Sequence, residues 1–233
     1  MTRAPIAVLA IGGGSNFQAL LDHFAQLGER RAGDVVVLAT DRENTGASQR
    51  ASAVGIPAIV TRSRLAPAAR ELTDVFDEFT PSLIVLAGYL QLIPAELTRR
   101  FRGRIVNVHP APLPQFGGAG MYGARVHRAV VAANTSLSGP TVHFVDDQYD
   151  HGPSIAHWRV PVIPGDDEHA LGARVLRAEH LLFPRVVQAL AAGELCLSPD
   201  AVVSPPFLKV PLPTFDPSLD DAQLARIVDD ART

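Results

Sequence analysis

Short apolar runs recur through the first third of the chain, each followed by a turn and a helical pattern, and this alternation restricts the fold more tightly than any other feature. Ile6-Ala7-Val8-Leu9-Ala10-Ile11, Asp34 to Ala39, Pro57 to Thr61 and Leu83 to Ala87 read as strands. Apolar residues without polar alternation suit parallel strands covered by helices on both faces. Between them, Ser15 stands as an expected N-cap ahead of Phe17, Leu20, Leu21 and Phe24 at helical spacing. Gly46 to Val54 and Ala66 to Phe79 read as the next two helices. A regular strand–helix alternation predicts an α/β fold with a doubly wound, mostly parallel central sheet.

Beyond Gly88 the order changes. A short helix is expected around Pro94 to Arg100, a strand from Arg104 to Val108, and a helix from Ala124 to Ala133. Ser138 to Val145 and Ser154 to Pro161 read as two further strands, antiparallel in this half of the chain. Asp167 to Ala192 is the longest amphipathic segment. After Glu194 the prolines Pro205, Pro206, Pro211, Pro213 and Pro217 argue against a helix until Ser218 to Ala231. The expected organisation is one main domain over 1–195 and a proline-rich extension over 196–233, packed on the domain or partly mobile.

Composition narrows the partners. A formal net charge of −3 gives no reason to expect nucleic acid. The single cysteine, Cys196, rules out an internal disulfide and fits a reducing compartment. The run from Ile6 to Ile11 is too short to cross a bilayer, and no signal-peptide pattern precedes it, so a cytoplasmic protein is expected.

Three places invite chemistry. Gly12-Gly13-Gly14-Ser15-Asn16 follows a strand and opens a helix, where backbone N–H groups and the helix dipole bind anions. Phe17 stands where a dinucleotide fingerprint would need its third glycine, and no P-loop lysine follows. Asn107-Val108-His109-Pro110 lies at the C-terminal end of a strand, with Asn107 and His109 on one face. An amide donor beside an imidazole suits acyl transfer, although a strand histidine taken alone is more often a hydrogen-bonded core residue. Thr141 and His143 share a face of the next strand, and the loop with Asp146, Asp147 and Asp150 either returns a carboxylate to the sheet edge or is a solvated turn. His151, His157, His169 and His180 read as surface or structural, and no histidine spacing matches a zinc site, so no metal is expected.

Taken in order, GGGSNFQALLD, LIVLAGYLQLIP, IVNVHPAPLPQFGG and TVHFVDDQYDHGP resemble the formyltransferase family that uses 10-formyltetrahydrofolate, in its glycinamide ribonucleotide branch. The resemblance covers roughly Ile6 to Leu195 and implies the Rossmann-like fold of that family. It implies that Asn107, His109 and Asp150 are catalytic. It implies that Gly12, Gly13, Gly14, Ser15, Asn16 and Glu179 bind the ribonucleotide. Tyr89, Leu90, Gln91, Leu92, Ile93, Asp146, Asp147 and Tyr149 would then wall the folate pocket, with 10-formyltetrahydrofolate as co-substrate and no metal. The partners implied are small molecules, with neither nucleic acid nor membrane, and the tail is a candidate homodimer surface. Gly13 departs from the polar residue common in relatives, His151 replaces a smaller one, and Gly117 to Gly123 is longer and richer in glycine, expected as a mobile flap over the ribonucleotide.

Rivals share the same core: methionyl-tRNA and sugar formyltransferases, and formyltetrahydrofolate hydrolases. The acidic tail, with Asp216, Asp220, Asp221, Asp229 and Asp230, is a poor match for tRNA. A non-catalytic nucleotide-binding module would need only the glycine turn, not the asparagine, histidine and aspartate together.

Overall fold

The computed structural model describes residues 2–61 and 70–233. Its strands are β1 Ala4–Leu9, β2 Gly33–Thr40, β3 Ala58–Val60, β4 Leu83–Leu86, β5 Ile105–His109, β6 Leu137–Ser138, β7 Thr141–Phe144, β8 Ser154–His157, β9 Val160–Pro161, β10 Cys196–Leu197 and β11 Val203–Ser204. Its helices are α1 Ser15–Leu27, α2 Gly46–Ala53, α3 Leu72–Phe79, α4 Ala95–Arg100, α5 Ala124–Ala132, α6 Glu168–Ala191 and α7 Asp221–Asp230.

Seven strands form one sheet in the order β3-β2-β1-β4-β5-β7-β8. The first five are parallel, and β7 and β8 run antiparallel beside them. Alternation sends Ile6 and Val8 into a core that includes residues of α1, α5 and α6, and Ala7 and Leu9 into a second with residues of α3 and α4. Both faces are therefore covered, which is why β1 reads as an unbroken apolar run. The chain reverses direction of winding between β1 and β4, and at such a switch point the C-terminal strand ends part to leave a crevice.

Several boundaries differ from expectation for local reasons. Gly14, not Ser15, caps α1, in a left-handed conformation (φ 69°), and a Cβ there would stand 2.8 Å from Ala47. The two long β runs each break. A Cβ on Gly139 would lie 1.8 Å from the Trp158 carbonyl oxygen, so the backbones approach closely there, and β6 and β9 peel off as a separate ribbon. Helix α3 begins at Leu72, because Arg70 still bridges to Thr61; Ala66 to Ala69, expected in that helix, lie outside the described residues. Helix α7 begins at Asp221, where Asp220 and Gln223 close a capping box, while Ser218 is held by Asp216 in the preceding turn.

The C-terminal segment contributes Phe207, Leu212, Phe215, Leu224 and Val228 to the same core as β1 and α6. Phe215 meets the fully buried Trp158 edge-on at 5.2 Å, and the indole N–H donates to the Pro213 carbonyl at 3.0 Å. Arg185 of α6 grips Asp229 of α7 with two hydrogen bonds, at 2.7 and 3.1 Å.

Candidate active site

Asn107 and His109 end β5 on the same face, with Val106 and Val108 turned into the core behind them. The antiparallel register sets Asn107 directly across from His143 and His109 across from Thr141. The loop after β7 then returns Asp150 to this edge, with Asp150 itself at a φ of 53°, a left-handed backbone that aspartate tolerates better than most residues. Asp150 Oδ2 lies 3.3 Å from His109 Nδ1 and accepts from the Gly118 N–H at 3.0 Å. Asp150 Oδ1 lies 3.5 Å from Asn107 Nδ2 and 3.6 Å from His143 Nε2. The three residues proposed from sequence therefore meet, and a histidine assigned no role there, His143, joins them.

Electrostatics follow from burial and these contacts. Burial alone would raise the Asp150 carboxyl, but the hydrogen bond with His143, the charge of His109 and the Gly118 N–H outweigh it and hold it below 3.8. Burial lowers His109 from its usual 6.5, opposed by the Asp150 charge and the Phe116 carbonyl. His109 Nε2 sits 2.8 Å from that carbonyl, which only accepts, so Nε2 carries a proton. Nδ1 then faces a carboxylate oxygen and needs a proton too. A neutral imidazole leaves one acceptor facing another, so Asp150 favours the cationic ring, against the stronger opposing effect of burial.

This constellation forms one wall of a cleft of ≈ 530 Å³. The loop after β4 forms another. Tyr89 and Ile93 are rooted in the core, while Leu90 (45%) and Leu92 (42%) are exposed towards the cleft, with Gln91 between them and Tyr149 (41%) from the other loop. Asp146 and Asp147 do not line it: Asp146 pairs with the exposed His151 at 2.7 Å and accepts from the Gln148 N–H. From the turn after β1 only Asn16 reaches the cleft, whereas Gly12, Gly13, Gly14 and Ser15 lie outside its lining. The Gly12 and Gly13 carbonyls are occupied by α2, since Ala47 N–H donates to Gly12 and Arg50 Nε to Gly13. Gly118 to Gly123 edge the cleft.

Asn16 Nδ2 donates to Glu179 Oε2 at 2.6 Å, deep between α1 and α6. Burial pushes the Glu179 carboxyl up from 4.5 to about 7, against the pull of the Asn16 hydrogen bond. The sign of the linkage is that of a raised acid. Below 4.5 the group is neutral folded and unfolded and costs nothing; through the window from 4.5 to about 7 the folded state falls behind. Above it the full cost, about 3 kcal/mol, applies. Glu179→Gln is therefore expected to be more stable than wild type at pH 8 and equal at pH 4. Urea midpoints at the two pH values check this, and a gap independent of pH would rule out the buried carboxyl as its source.

Sequence reasoning missed His127. It is buried on α5 in the cleft wall, lowered to about 4 by burial and then by the charge of His109, and its Nδ1 has no partner among the described residues. Any Cβ at Gly172 would press on its ring at 3.0 Å. The only signal was a histidine beside Val126 on the buried side of a helix. His169 also lines the cleft, while His157 is held by the Pro140 carbonyl and the exposed His151 by Asp146. Among the described residues no group of three or more His, Cys, Asp or Glu is placed to hold a metal ion, and no helix is long and apolar enough to cross a membrane.

A family model described as Formyl transferase matches residues 4–187. The chloroplastic phosphoribosylglycinamide formyltransferase of Vigna unguiculata is 43% identical over 206 residues, covering 86% of this chain and 65% of its own length. The chain thus spans just under two thirds of that relative. The phosphoribosylglycinamide formyltransferase of Escherichia coli (strain K12) is 32% identical over 203 residues, covering 84% of this chain and 91% of its own. The crystal structure of phosphoribosylglycinamide formyltransferase from Anaplasma phagocytophilum superposes with a TM-score of 0.77 at 28% identity, over 87% of this chain and 93% of that one. This chain belongs to the formyl transferase family.

Proposed function

We propose that this protein transfers the formyl group of 10-formyltetrahydrofolate to the amine of glycinamide ribonucleotide, a step of purine biosynthesis. The observation that carries the reading is the Asp150 carboxylate, set 3.3 Å from His109 Nδ1 and 3.5 Å from Asn107 Nδ2 in the cleft wall. The exposed apolar faces of Leu90, Leu92 and Tyr149 suit a flat folate ring system. On the other side, the buried Asn16 Oδ1 has no donor among the described residues and Glu179 is neutral below about 7, a pair suited to sugar hydroxyls. Gly12 to Ser15 open α1 just beyond, where first-turn N–H groups without intrahelical partners would receive the phosphate.

The neutral amine attacks the formyl carbon, its C–N bond forms, and the carbonyl oxygen takes up the negative charge. Asn107 N–H donates to that oxygen, and the fraction of His109 that Asp150 keeps protonated adds its charge from behind. Asp150 accepts the proton released by the amine and passes it to the folate nitrogen as the old C–N bond breaks, directly or through water. No proton is gained or lost overall. Asp146 and Asp147 act at most as the frame of the Tyr149–Asp150 loop, and the Gly117 to Gly123 stretch as a flap tethered at Gly118.

Residues 1–195 are the catalytic unit in this reading, and 196–233 an extension whose apolar residues are spent on the same core; sedimentation would decide a homodimer. The compartment is reducing and aqueous, the cytoplasm in a cell without plastids, since the names of the plant relatives carry the word chloroplastic. The test is a transfer assay with 10-formyltetrahydrofolate, offering glycinamide ribonucleotide and water as competing acceptors. Formylated ribonucleotide supports the reading. Folate turnover without it moves the protein to a hydrolase or another acceptor.

A further inference from the structure

The His143 ring is 2% exposed, and its two nitrogens have different duties. Nδ1 lies 2.8 Å from the Phe144 carbonyl oxygen, which only accepts, so Nδ1 carries a proton in every state. Nε2 lies 3.2 Å from the Asn107 side-chain amide and 3.6 Å from Asp150 Oδ1. The contact with Asn107 is built into the sheet, because the two residues are direct partners across β5 and β7.

The two ends of an amide are nearly identical in shape, so the end that meets Nε2 is decided by whether Nε2 carries a proton. A bare Nε2 accepts from Asn107 Nδ2, which is the arrangement in this structure. Asn107 Oδ1, with no donor among the described residues, is then the end left for the cleft, and an oxygen there repels a developing oxyanion. A protonated Nε2 instead donates to Oδ1. The amide turns over, and its N–H groups face the reacting oxygen. Asp150 Oδ1 faces both members of the pair, 3.5 Å from Asn107 Nδ2 and 3.6 Å from His143 Nε2, so the amide that turns over exchanges its contact with Asp150 for one with the ring.

We infer that His143 is a positioning residue for the transfer: the proton on its Nε2 sets which end of the Asn107 amide meets the reacting oxygen. This rests on the function proposed above for Asn107, and the experiment separates the two. In the substrate-free protein, the Asn107 side-chain NH₂ resonance is expected to move with the titration of the His143 ring ¹⁵N signals, and to stay fixed in His143→Gln. An Asn107 resonance indifferent to that titration overturns the inference, whatever the enzyme turns over.

Kinetics supply the second readout. A misaligned oxyanion donor is bounded by the loss of one such donor, about 100-fold or more in kcat. His143→Leu is expected to lower kcat by up to about 100-fold with KM within about twofold, and to cost nothing further on top of Asn107→Ala. His143→Gln, whose Nε2–H stands where the protonated ring nitrogen was, is expected to keep most of the rate and to lose its pH dependence. An equal loss from His143→Leu in the wild-type and Asn107→Ala backgrounds, or a loss confined to KM, overturns the inference. If His143→Leu does not fold, the pH profile of His143→Gln decides: an unchanged profile overturns it.

Discussion

Asp150→Asn is expected to lower kcat for formyl transfer by about two to four orders of magnitude, with KM for both substrates changed by less than about threefold. Asparagine keeps the size of the side chain and can still accept from the Gly118 N–H, 3.0 Å away. It removes the charge. His109 is lowered by burial against the opposing charge of Asp150, so in the variant it is lowered further and the cationic share of the ring behind the oxyanion shrinks. The proton acceptor for the amine disappears in the same change. Stability follows a separate rule. The Asp150 carboxyl is held below 3.8, so its stabilising share is present at neutral pH and is lost as pH falls through its lowered folded value. The stability gap between wild type and variant should therefore close in acid. Steady-state kinetics at pH 7.5 with unfolding curves at neutral and acid pH check both halves. A loss confined to KM would remove Asp150 from the chemistry.

Gly152→Ala is expected to act nearly as strongly from outside the cleft. A Cβ there would stand 2.0 Å from the Phe144 carbonyl oxygen and 2.8 Å from its carbon. Both are backbone atoms at the end of β7, so no rotamer relieves the clash and the loop must move outward. Asp150, two residues earlier, moves with it, away from His109 at 3.3 Å and His143 at 3.6 Å. A displacement of about 1 Å in a reacting geometry costs on the order of 100-fold. Overpacking against fixed backbone adds about 1–3 kcal/mol of lost stability. The expected variant is folded, less stable, and about 100-fold down in kcat; wild-type kinetics would mean that the loop is not held against β7.

The Asp150-His151-Gly152 motif was legible as a pattern, but its physical reason was not. Gly152 has no need of an unusual φ, and only the approach of the Phe144 carbonyl requires it. Strand β1 could be read because its residues are apolar on both faces, and the long helix because its buried positions recur at helical spacing from Leu171 to Val187. The runs around Gly139 read as two continuous strands, since nothing local to either states that the Trp158 carbonyl will press on Gly139. His127 was invisible as a site residue, and His143, singled out only by its strand face, carried no role, for a related reason. A buried histidine has the same local signature whether its nitrogens meet a carbonyl, a catalytic amide or an open cleft.

Local chemistry by itself determined the alternation of strand and helix, the glycine turn at the first crossover, and the pairing of Asn107 with His109 two residues apart on one strand face. Those are matters of spacing along the chain, and spacing survives in a string of letters. Tertiary structure alone decided that Asp150 returns to His109, that His143 stands across from Asn107, that Asp146 pairs with His151 rather than facing the cleft, and that the C-terminal prolines thread over Trp158. Each of these depends on which distant segments share the sheet edge and on water being excluded between them, and neither distance nor dielectric is a property of residues taken one window at a time.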